Sequence, residues 1–230
     1  MVRKIKVGIF KFTSCSGCQI EILAHVKKFF ELSKKIDLKY MKILRKGKIE
    51  DFDIGFIEGS ISQNWEIEQL RDIRKKTKYL TALGSCAVVG GISSLQNYLQ
   101  KGIKLPKKAY PIEKYIEVDY NLRGCPINGE EFVEVINFLI VGKTLIDREI
   151  PVCNECKKNN NLCLIKQNKF CAGPITYSGC RAICPENNYS CIGCRGITKD
   201  ANLKEWIKKI QELGFKNEVK EVLKTFKYEP

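Results

Sequence analysis

The sequence predicts an α/β protein: a doubly wound parallel sheet, then an irregular cysteine-rich segment, then C-terminal helices. Three observations support this prediction. Strand and helix patterns alternate over residues 1–145, periodicity disappears over residues 151–196, and helical periodicity returns after residue 200. At 230 residues the chain is long enough for one sizeable core and a smaller module.

The predicted strands either alternate apolar and polar residues or form short apolar runs. They cover residues 4–12, 36–44, 52–57 and 79–83, and residues 115–120 are expected to be extended. Helices are predicted over residues 20–30, 66–75 and 130–139, and from residue 87 toward residue 98 despite two glycines. This βαβ order predicts parallel strands with helices on both faces of the sheet.

The segment over residues 151–196 is rich in Asn, Gly and Pro and poor in core residues. Such a segment is not expected to fold unaided, and metal binding would supply the missing free energy. Two amphipathic helices are predicted after it. Their apolar stripes, which we interpret as packing faces, are Leu203, Trp206, Ile207 and Ile210, and Val219, Val222, Leu223 and Phe226.

Composition limits the location and the partners of the protein. Hydrophobic residues make up 44%, and no apolar run reaches the length of a membrane span. The N-terminus lacks the pattern of a signal peptide, so we expect a cytoplasmic protein without a membrane partner. Cytoplasmic thiols stay reduced, so the 12 cysteines indicate metal binding rather than disulfides.

The formal net charge is +14. Three oxidised four-iron clusters with thiolate ligands would reduce it to roughly +8. The remaining charge indicates a solvated lysine-rich surface, or attraction to an acidic partner subunit. No nucleic-acid-binding motif or basic stripe with interleaved aromatics is present, so no nucleic-acid partner is expected.

Four cysteines lie in the alternating part of the chain. Cys15 and Cys18 form a CxxC after the first predicted strand, Cys86 follows the fourth strand, and Cys125 follows the extended segment. Ligands of parallel sheets bind outside the carboxyl ends of the strands, so these four thiols are expected to meet at one site. Gly17 gives the CxxC backbone room to aim N–H groups at sulfur.

The other eight cysteines crowd into the irregular segment. They are Cys153, Cys156, Cys163, Cys171, Cys180, Cys184, Cys191 and Cys194. The simplest division is sequential, four and four, but an interleaved, ferredoxin-like pairing remains open. Twelve thiolates suit three iron–sulfur clusters, which would conduct electrons. Two zinc ribbons are the alternative for the later eight, because CxxC pairs also suit zinc.

No reaction centre is evident in this chain. His25 is the single histidine and is interpreted as structural or surface-exposed, without partners for nucleophilic catalysis. Neither a P-loop nor a G-x-G-x-x-G fingerprint occurs, so nucleotide binding is not expected. A chain with electron carriers and no catalytic residues of its own requires a partner that makes or consumes the electrons.

Several motifs together carry a family resemblance. SCSGC follows the first strand, and EGS (58–60), GSCAVVGG (84–91), GCP (124–126) and CAGPITYSGC…CIGC follow it. In combination they resemble the small subunits of nickel–iron hydrogenases over nearly the whole chain. KYIEVDYN, PVCNEC and CIGCRG are most similar to the delta subunit of cytoplasmic, NADP-linked archaeal sulfhydrogenases of group 3.

The resemblance implies two domains and three 4Fe–4S clusters. Residues 1–146 would form a flavodoxin-like domain, and residues 147–230 an iron–sulfur domain with C-terminal helices. The proximal set of ligands would be Cys15, Cys18, Cys86 and Cys125. The distal set would be Cys153, Cys156, Cys163 and Cys171. The medial set would be Cys180, Cys184, Cys191 and Cys194.

Two departures from the better-known membrane-linked and periplasmic hydrogenases concern cluster ligands. Cys153 stands where those enzymes have histidine, and the added negative charge is expected to lower the distal potential. Cys184 stands where they have proline, so the medial cluster is expected to have four irons. Ile127 replaces the second proline of GCPP and removes no ligand. The related complex I subunit has adjacent cysteines in its first motif and lacks the eight-cysteine extension.

The resemblance also implies an activity. The chain would be an electron-transfer oxidoreductase subunit, with hydrogen split at a nickel–iron centre on a partner large subunit. Electrons would leave to iron–sulfur and flavin-containing subunits that reduce NAD(P). The alternatives are an F420-reducing or heterodisulfide-reductase-linked hydrogenase, or a zinc-stabilised binding module. Glu58 and Ser16 are expected either near a proton path or as turn residues.

Overall fold

A computed structural model describes residues 3–45, 47–98, 108–143 and 149–226. These residues form two compact units, the first within residues 1–147 and the second within residues 148–229. The domain boundary predicted between residues 146 and 147 lies outside the described residues. The two units are called the first unit and the second unit below.

The first unit is built on a five-stranded parallel sheet. Its strands are β1 (Ile5–Lys11), β2 (Ile36–Met41), β3 (Phe52–Glu58), β4 (Thr77–Leu83) and β5 (Tyr120–Leu122). Their order in the sheet is β2-β1-β3-β4-β5, and every pairing is parallel. This is the flavodoxin order, and it confirms the doubly wound α/β prediction.

Helices cover both faces of this sheet. They are α1 (Gly17–Ala24), α2 (Val26–Ser33), α3 (Asn64–Lys75), α4 (Ser85–Val89) and α5 (Gly129–Ile140). Successive strand residues point to opposite faces, so Ile9 and Phe10 of β1 belong to different cores. Ile9 packs with α1, α2 and α5, whereas Phe10 packs with α3 and α4.

The structure corrects four predicted elements. The helix over residues 20–30 is two helices, which meet at His25. The helix from residue 87 ends at Gly90, and a 3₁₀ helix, Gly91–Tyr98, follows it. β2 ends at Met41 because the chain turns there, and the Arg45 N–H donates to the Met41 carbonyl at 2.7 Å. The last strand begins only at Tyr120, after a 3₁₀ turn.

Over residues 149–226, the second unit contains the α-helices α6 (Val152–Lys158), α7 (Ile183–Glu186), α8 (Leu203–Glu212) and α9 (Lys216–Phe226), and two short 3₁₀ helices. Isolated bridges rather than strands join its loops, as between Thr176 and Ile197. The apolar stripes of α8 and α9 form its core, in which Trp206 and Val222 pack near Ile175. The two predicted C-terminal helices and their packing faces are confirmed.

Within the ranges that the structure describes, no helix has the length and apolar character needed to cross a membrane.

Candidate iron–sulfur sites

The proximal set of cysteines lies at the carboxyl edge of the sheet. Cys15 and Cys18 follow β1, Cys86 lies in α4 directly after β4, and Cys125 lies in the turn after β5. Burial raises the pKa of Cys18, and the charges of Glu58, Cys86 and Cys125 raise it further. The charge of Cys15 in turn contributes to the raised pKa of buried Cys86. The structure therefore brings these four thiols together.

Gly84 sets the approach of β4 to this site. Its φ of +82° is one that other residues rarely adopt. A Cβ built on Gly84 would lie 2.4 Å from Cys18 Sγ, closer than real atoms pack. The glycine is therefore required both by the backbone turn and by the thiol beside it.

Backbone N–H groups point at the thiol sulfurs of this site. The Gly17 N–H donates to Cys15 Sγ at 3.3 Å, and the Ile127 N–H donates to Cys18. Hydrogen bonds to a thiolate stabilise its charge and partly offset the cost of burial. These donors suit an iron–sulfur cluster, whose potential depends on hydrogen bonds to sulfur and on burial.

Glu58 lies beneath the CxxC turn at the end of β3 and is 1% exposed. Its carboxylate accepts the Cys18 N–H at 3.1 Å and the Gln19 side-chain N–H at 2.7 Å. Burial raises the pKa of Glu58, and these hydrogen bonds oppose the rise. Ser16 is a turn residue, with φ of 70° at the start of α1. Glu58 is thus part of the frame that orients Cys18.

The distal set gathers around α6. Cys153 and Cys156 lie one turn apart on this helix, and Cys163 and Cys171 lie in the loops that follow. Burial raises the pKa of Cys153 to about 11, and the charges of Cys171, Cys156 and Cys163 add to the rise. A Cβ at Gly173 would lie 3.3 Å from Cys171 Sγ and 3.6 Å from Cys153 Sγ. The structure therefore brings this predicted set together.

The structure brings the medial set of cysteines together only in part. Burial raises the pKa of Cys180 to about 11, the Arg195 charge lowers it, and the Glu155 and Cys194 charges raise it. Burial also raises the pKa of Cys191, with contributions from the charges of both Cys171 and Cys194. Cys191 therefore lies near members of both sets, and the sequential division stays a prediction.

Cys184 is half-buried in the short helix α7. Its backbone carbonyl accepts the Tyr189 N–H at 2.8 Å, which closes the turn after the helix. Its place in the medial set stays a prediction.

One local turn recurs in both units. In each case the N–H two residues after a cysteine donates to that cysteine's sulfur. The pairs are Cys15 with Gly17, Cys171 with Gly173, Cys180 with Ala182, and Cys191 with Gly193. Positive φ angles at Ser16, Arg181 and Gly193 accompany three of these turns. Turns of this kind form concave N–H surfaces that bind anionic groups, including iron–sulfur clusters.

Three polar residues beside the thiols are not among the predicted site residues. Ser93, as a hydrogen-bonding neighbour, lowers the pKa of Cys86, while Glu155 and Arg195 place opposite charges near Cys180. Arg195 is 4% exposed, and its Nε donates to the Ser178 carbonyl at 2.7 Å. Two of these positions carry a signal in the sequence: the glycine pair precedes Ser93, and Arg195 is the charge that directly follows CIGC.

The arrangement of the thiols can be compared with what a single metal ion and an iron–sulfur cluster each require. Among the described residues, no three His, Cys, Asp or Glu side chains are arranged to hold a single metal ion. A four-iron cluster takes four thiolates, one on each iron, around a cage. Grouped thiols, N–H donors and closely packed glycines are the features that such a cage requires.

The fold and the thiols define a class of protein. A flavodoxin-like sheet with four thiols at its carboxyl edge, joined to a unit with eight more, is typical of an iron–sulfur redox protein.

Comparisons with known proteins agree with this class. Residues 15–139 match the family model described as NADH ubiquinone oxidoreductase, 20 Kd subunit. The chain is 32% identical over 238 residues to sulfhydrogenase 2 subunit delta of Pyrococcus furiosus, covering 96% of this chain and 99% of that protein. The chain belongs to this oxidoreductase family, among the hydrogenase small subunits, as its motifs predict.

Two further matches extend the comparison. The chain is 28% identical over 248 residues to one component of the F420-non-reducing hydrogenase of Methanothermobacter thermautotrophicus, covering 86% of this chain and 80% of that protein. The structure of an NAD+-reducing [NiFe]-hydrogenase in the H2-reduced state contains a chain with 25% identity and a TM-score of 0.55. That match covers 63% of this chain and 99% of the other.

Proposed function

We propose that this chain is the electron-transfer small subunit of a cytoplasmic nickel–iron hydrogenase and that it holds three 4Fe–4S clusters. Membership of the hydrogenase small-subunit family supports the proposal. The observation that carries it is the meeting of Cys15, Cys18, Cys86 and Cys125 at one edge of the sheet. When bound, such clusters supply one-electron transfer.

The proposed ligand sets are those that the resemblance implies. The proximal set is Cys15, Cys18, Cys86 and Cys125. The distal set is Cys153, Cys156, Cys163 and Cys171. The medial set is Cys180, Cys184, Cys191 and Cys194. The mutual effect of the distal thiols on the pKa of Cys153 supports the second of these sets.

The chain's own residues prepare the thiols for iron. Burial raises the pKa values of Cys18, Cys86 and Cys153, so the metal-free thiols hold their protons at neutral pH. Iron binds thiolates, so loading must release those protons. The N–H groups of Gly17 and Gly173 then stabilise the charge that remains on sulfur.

The partners follow from the relatives. The nickel–iron centre is expected on a large subunit, because this chain offers thiols and no catalytic group of its own. An iron–sulfur and flavin-containing NAD(P)-reducing partner is favoured by the matches to a sulfhydrogenase and to an NAD+-reducing hydrogenase. The match to an F420-non-reducing hydrogenase favours a second candidate, in which another acceptor replaces NAD(P). Assays of the native complex with NADP, NAD and coenzyme F420 distinguish these acceptors.

The first experiment measures iron and colour. Anaerobically purified complex should absorb broadly in the visible and contain about a dozen irons per copy of this chain. A colourless protein with bound zinc would instead support the zinc-stabilised binding module.

The second experiment tests the ligand sets one thiol at a time. Cys184→Ala should convert the medial cluster to a three-iron form with its own electron paramagnetic resonance signal, whereas Ser190→Ala should not. An unchanged spectrum in Cys184→Ala would contradict the medial assignment. Cys18→Ser should impair the proximal cluster and hydrogen turnover, and normal turnover would refute the role of this site.

A further inference from the structure

Two consecutive glycines fold the chain back over Cys86. Gly90 and Gly91 have φ angles of +85° and +50°, so α4 ends and the 3₁₀ helix Gly91–Tyr98 starts in a new direction. A Cβ on Gly91 would lie 3.0 Å from the Cys86 nitrogen and 3.2 Å from its Cα. This close approach places the first turn of the 3₁₀ helix, and Ser93 with it, beside the backbone of Cys86.

Ser93 offers two donors to the sulfur of Cys86. Its backbone N–H and its hydroxyl both lie where they can donate to this thiol, and both oppose the rise in the Cys86 pKa that burial causes. The hydroxyl donates to the Gly90 carbonyl at 2.8 Å and lies 2.7 Å from Ser60 Oγ, whose other acceptor, the Thr13 carbonyl, is farther away at 3.4 Å. Ser60, at the end of β3, is fully buried.

The proton count decides how this pair is arranged. Each hydroxyl has one proton to donate. If Ser60 donates to Ser93 Oγ, the Ser93 proton is left for either the Gly90 carbonyl or the Cys86 sulfur. Hydrogen bonds to charged acceptors are the stronger ones, so a thiolate at Cys86 attracts this proton. A chain of hydroxyl donors also polarises its last bond.

We propose that Ser93, oriented by Ser60, is a positioning residue that sets the reduction potential of the cluster held by Cys86. This inference rests on the proposed function, because it requires a cluster on the proximal set. Reduction adds negative charge to the cluster, and a hydrogen bond to its sulfur stabilises the reduced form more than the oxidised form. The Ser93 hydroxyl therefore raises the potential.

The test is a redox titration of the purified complex, followed by electron paramagnetic resonance of the proximal cluster. At the ambient potential that half-reduces the wild-type cluster, Ser93→Ala should lower the ratio of reduced to oxidised cluster about tenfold. For a one-electron couple this is a shift of about 59 mV to more negative potential. Ser60→Ala should shift the ratio in the same direction by a smaller factor.

Two variants separate the hydroxyl from general packing. Ser93→Thr keeps a hydroxyl and should keep the ratio within about threefold of wild type, because its donor remains. Ser94→Ala is the matched control, since Ser94 lies in the same turn and its hydroxyl donates to the Gly91 carbonyl at 2.8 Å. This control should leave the potential unchanged.

The outcomes distinguish this inference from the proposed function. An unchanged ratio in Ser93→Ala, with full iron content and a normal signal, overturns the inference and leaves the proposed function standing. An equal shift in Ser94→Ala also overturns it, because the effect would then be one of packing. If Cys86→Ala retained the full iron content and the proximal signal, the assignment of Cys86 to a cluster would fail.

Discussion

The two units carry their cysteines in different ways. In the first unit, four thiols lie on turns and in the first turns of helices at the edge of a five-stranded sheet with a core on each face. In the second unit, eight thiols lie on loops and short helices without a sheet, and Cys171 and Cys191 belong to the core cluster of the described residues, as Cys18 does in the first unit. A sheet with its own cores can place ligands before metal arrives, whereas a unit built around its ligands is expected to depend on the metal.

Removal of iron should therefore have the largest effect on folding stability, and only the second unit should lose its structure. Metal binding supplies on the order of 10 kcal/mol to the folding of small metallo-domains. We expect the metal-free second unit to unfold while the first unit keeps its sheet. The two tryptophans report on different units. Trp65, which is 55% exposed, lies in α3 of the first unit, and Trp206, which is 5% exposed, lies in α8 of the second unit. In a Trp65→Phe background, chelation should shift the Trp206 emission to longer wavelength.

Amide hydrogen exchange provides the control for this experiment. Protection in β1 and β3 should survive the loss of iron, and protection in α8 and α9 should disappear. Protection retained in α8 and α9 without metal would show that the core around Trp206 suffices, and the comparison between the units would fail.

The same difference explains how much could be predicted from the sequence. The proximal thiols could be placed because each follows a strand, and parallel strands end at a common edge. The grouping of Cys191 could not, because loops have no periodicity that relates one residue to another. The glycines at 90 and 91 were visible inside a predicted helix. Their consequence, the approach of Ser93 to Cys86, depends on positive φ angles and on contacts distant in sequence.

Gly84→Ala should have the next largest effect, and it tests whether the first unit places its ligands rigidly. The added Cβ would meet Cys18 Sγ at 2.4 Å, in addition to the strain of a positive φ. Strain and overlap together should lower the free energy of unfolding by about 3 kcal/mol. The variant should also lose the proximal cluster, which is about four irons. Iron content and denaturant unfolding measure the two effects.

Gly142→Ala is the matched control for this substitution. Gly142 also has a positive φ, of +68°, but a Cβ there would meet nothing within 4 Å. This variant should cost about 1 kcal/mol and keep all its iron. Full iron content in Gly84→Ala would show that the edge of the sheet adapts, contrary to a rigid placement of the ligands.

Raising the pH should weaken the metal-free first unit. Burial raises the pKa values of Cys18 and Cys86 above their ordinary value of 9.0. Above pH 9 the unfolded chain loses these protons while the folded unit keeps them, so stability falls as pH rises. We expect a loss on the order of 1 kcal/mol by pH 9.5, measured by urea unfolding. Cys18→Ala should flatten this dependence, and a stability that rose with pH would contradict the sign.

Removing a helix cap from each unit should have the smallest effect on stability, and it allows the two units to be compared directly. Asn128 accepts the N–H groups of Glu130 and Glu131 at 2.9 and 3.1 Å at the start of α5. Asn202 accepts the Glu205 N–H at 3.2 Å at the start of α8. Replacing either asparagine with alanine should cost about 1 kcal/mol in the unit that contains it.

The metal state should decide whether each loss is seen. Asn128→Ala should speed amide exchange in the first unit with or without iron, because that unit stays folded in both states. Asn202→Ala should speed exchange in the second unit only when iron is bound, because the metal-free unit has no α8 left to destabilise. An equal effect of Asn202→Ala in both states would mean that α8 forms before the metal binds, so the second unit would resemble the first in placing its ligands unaided.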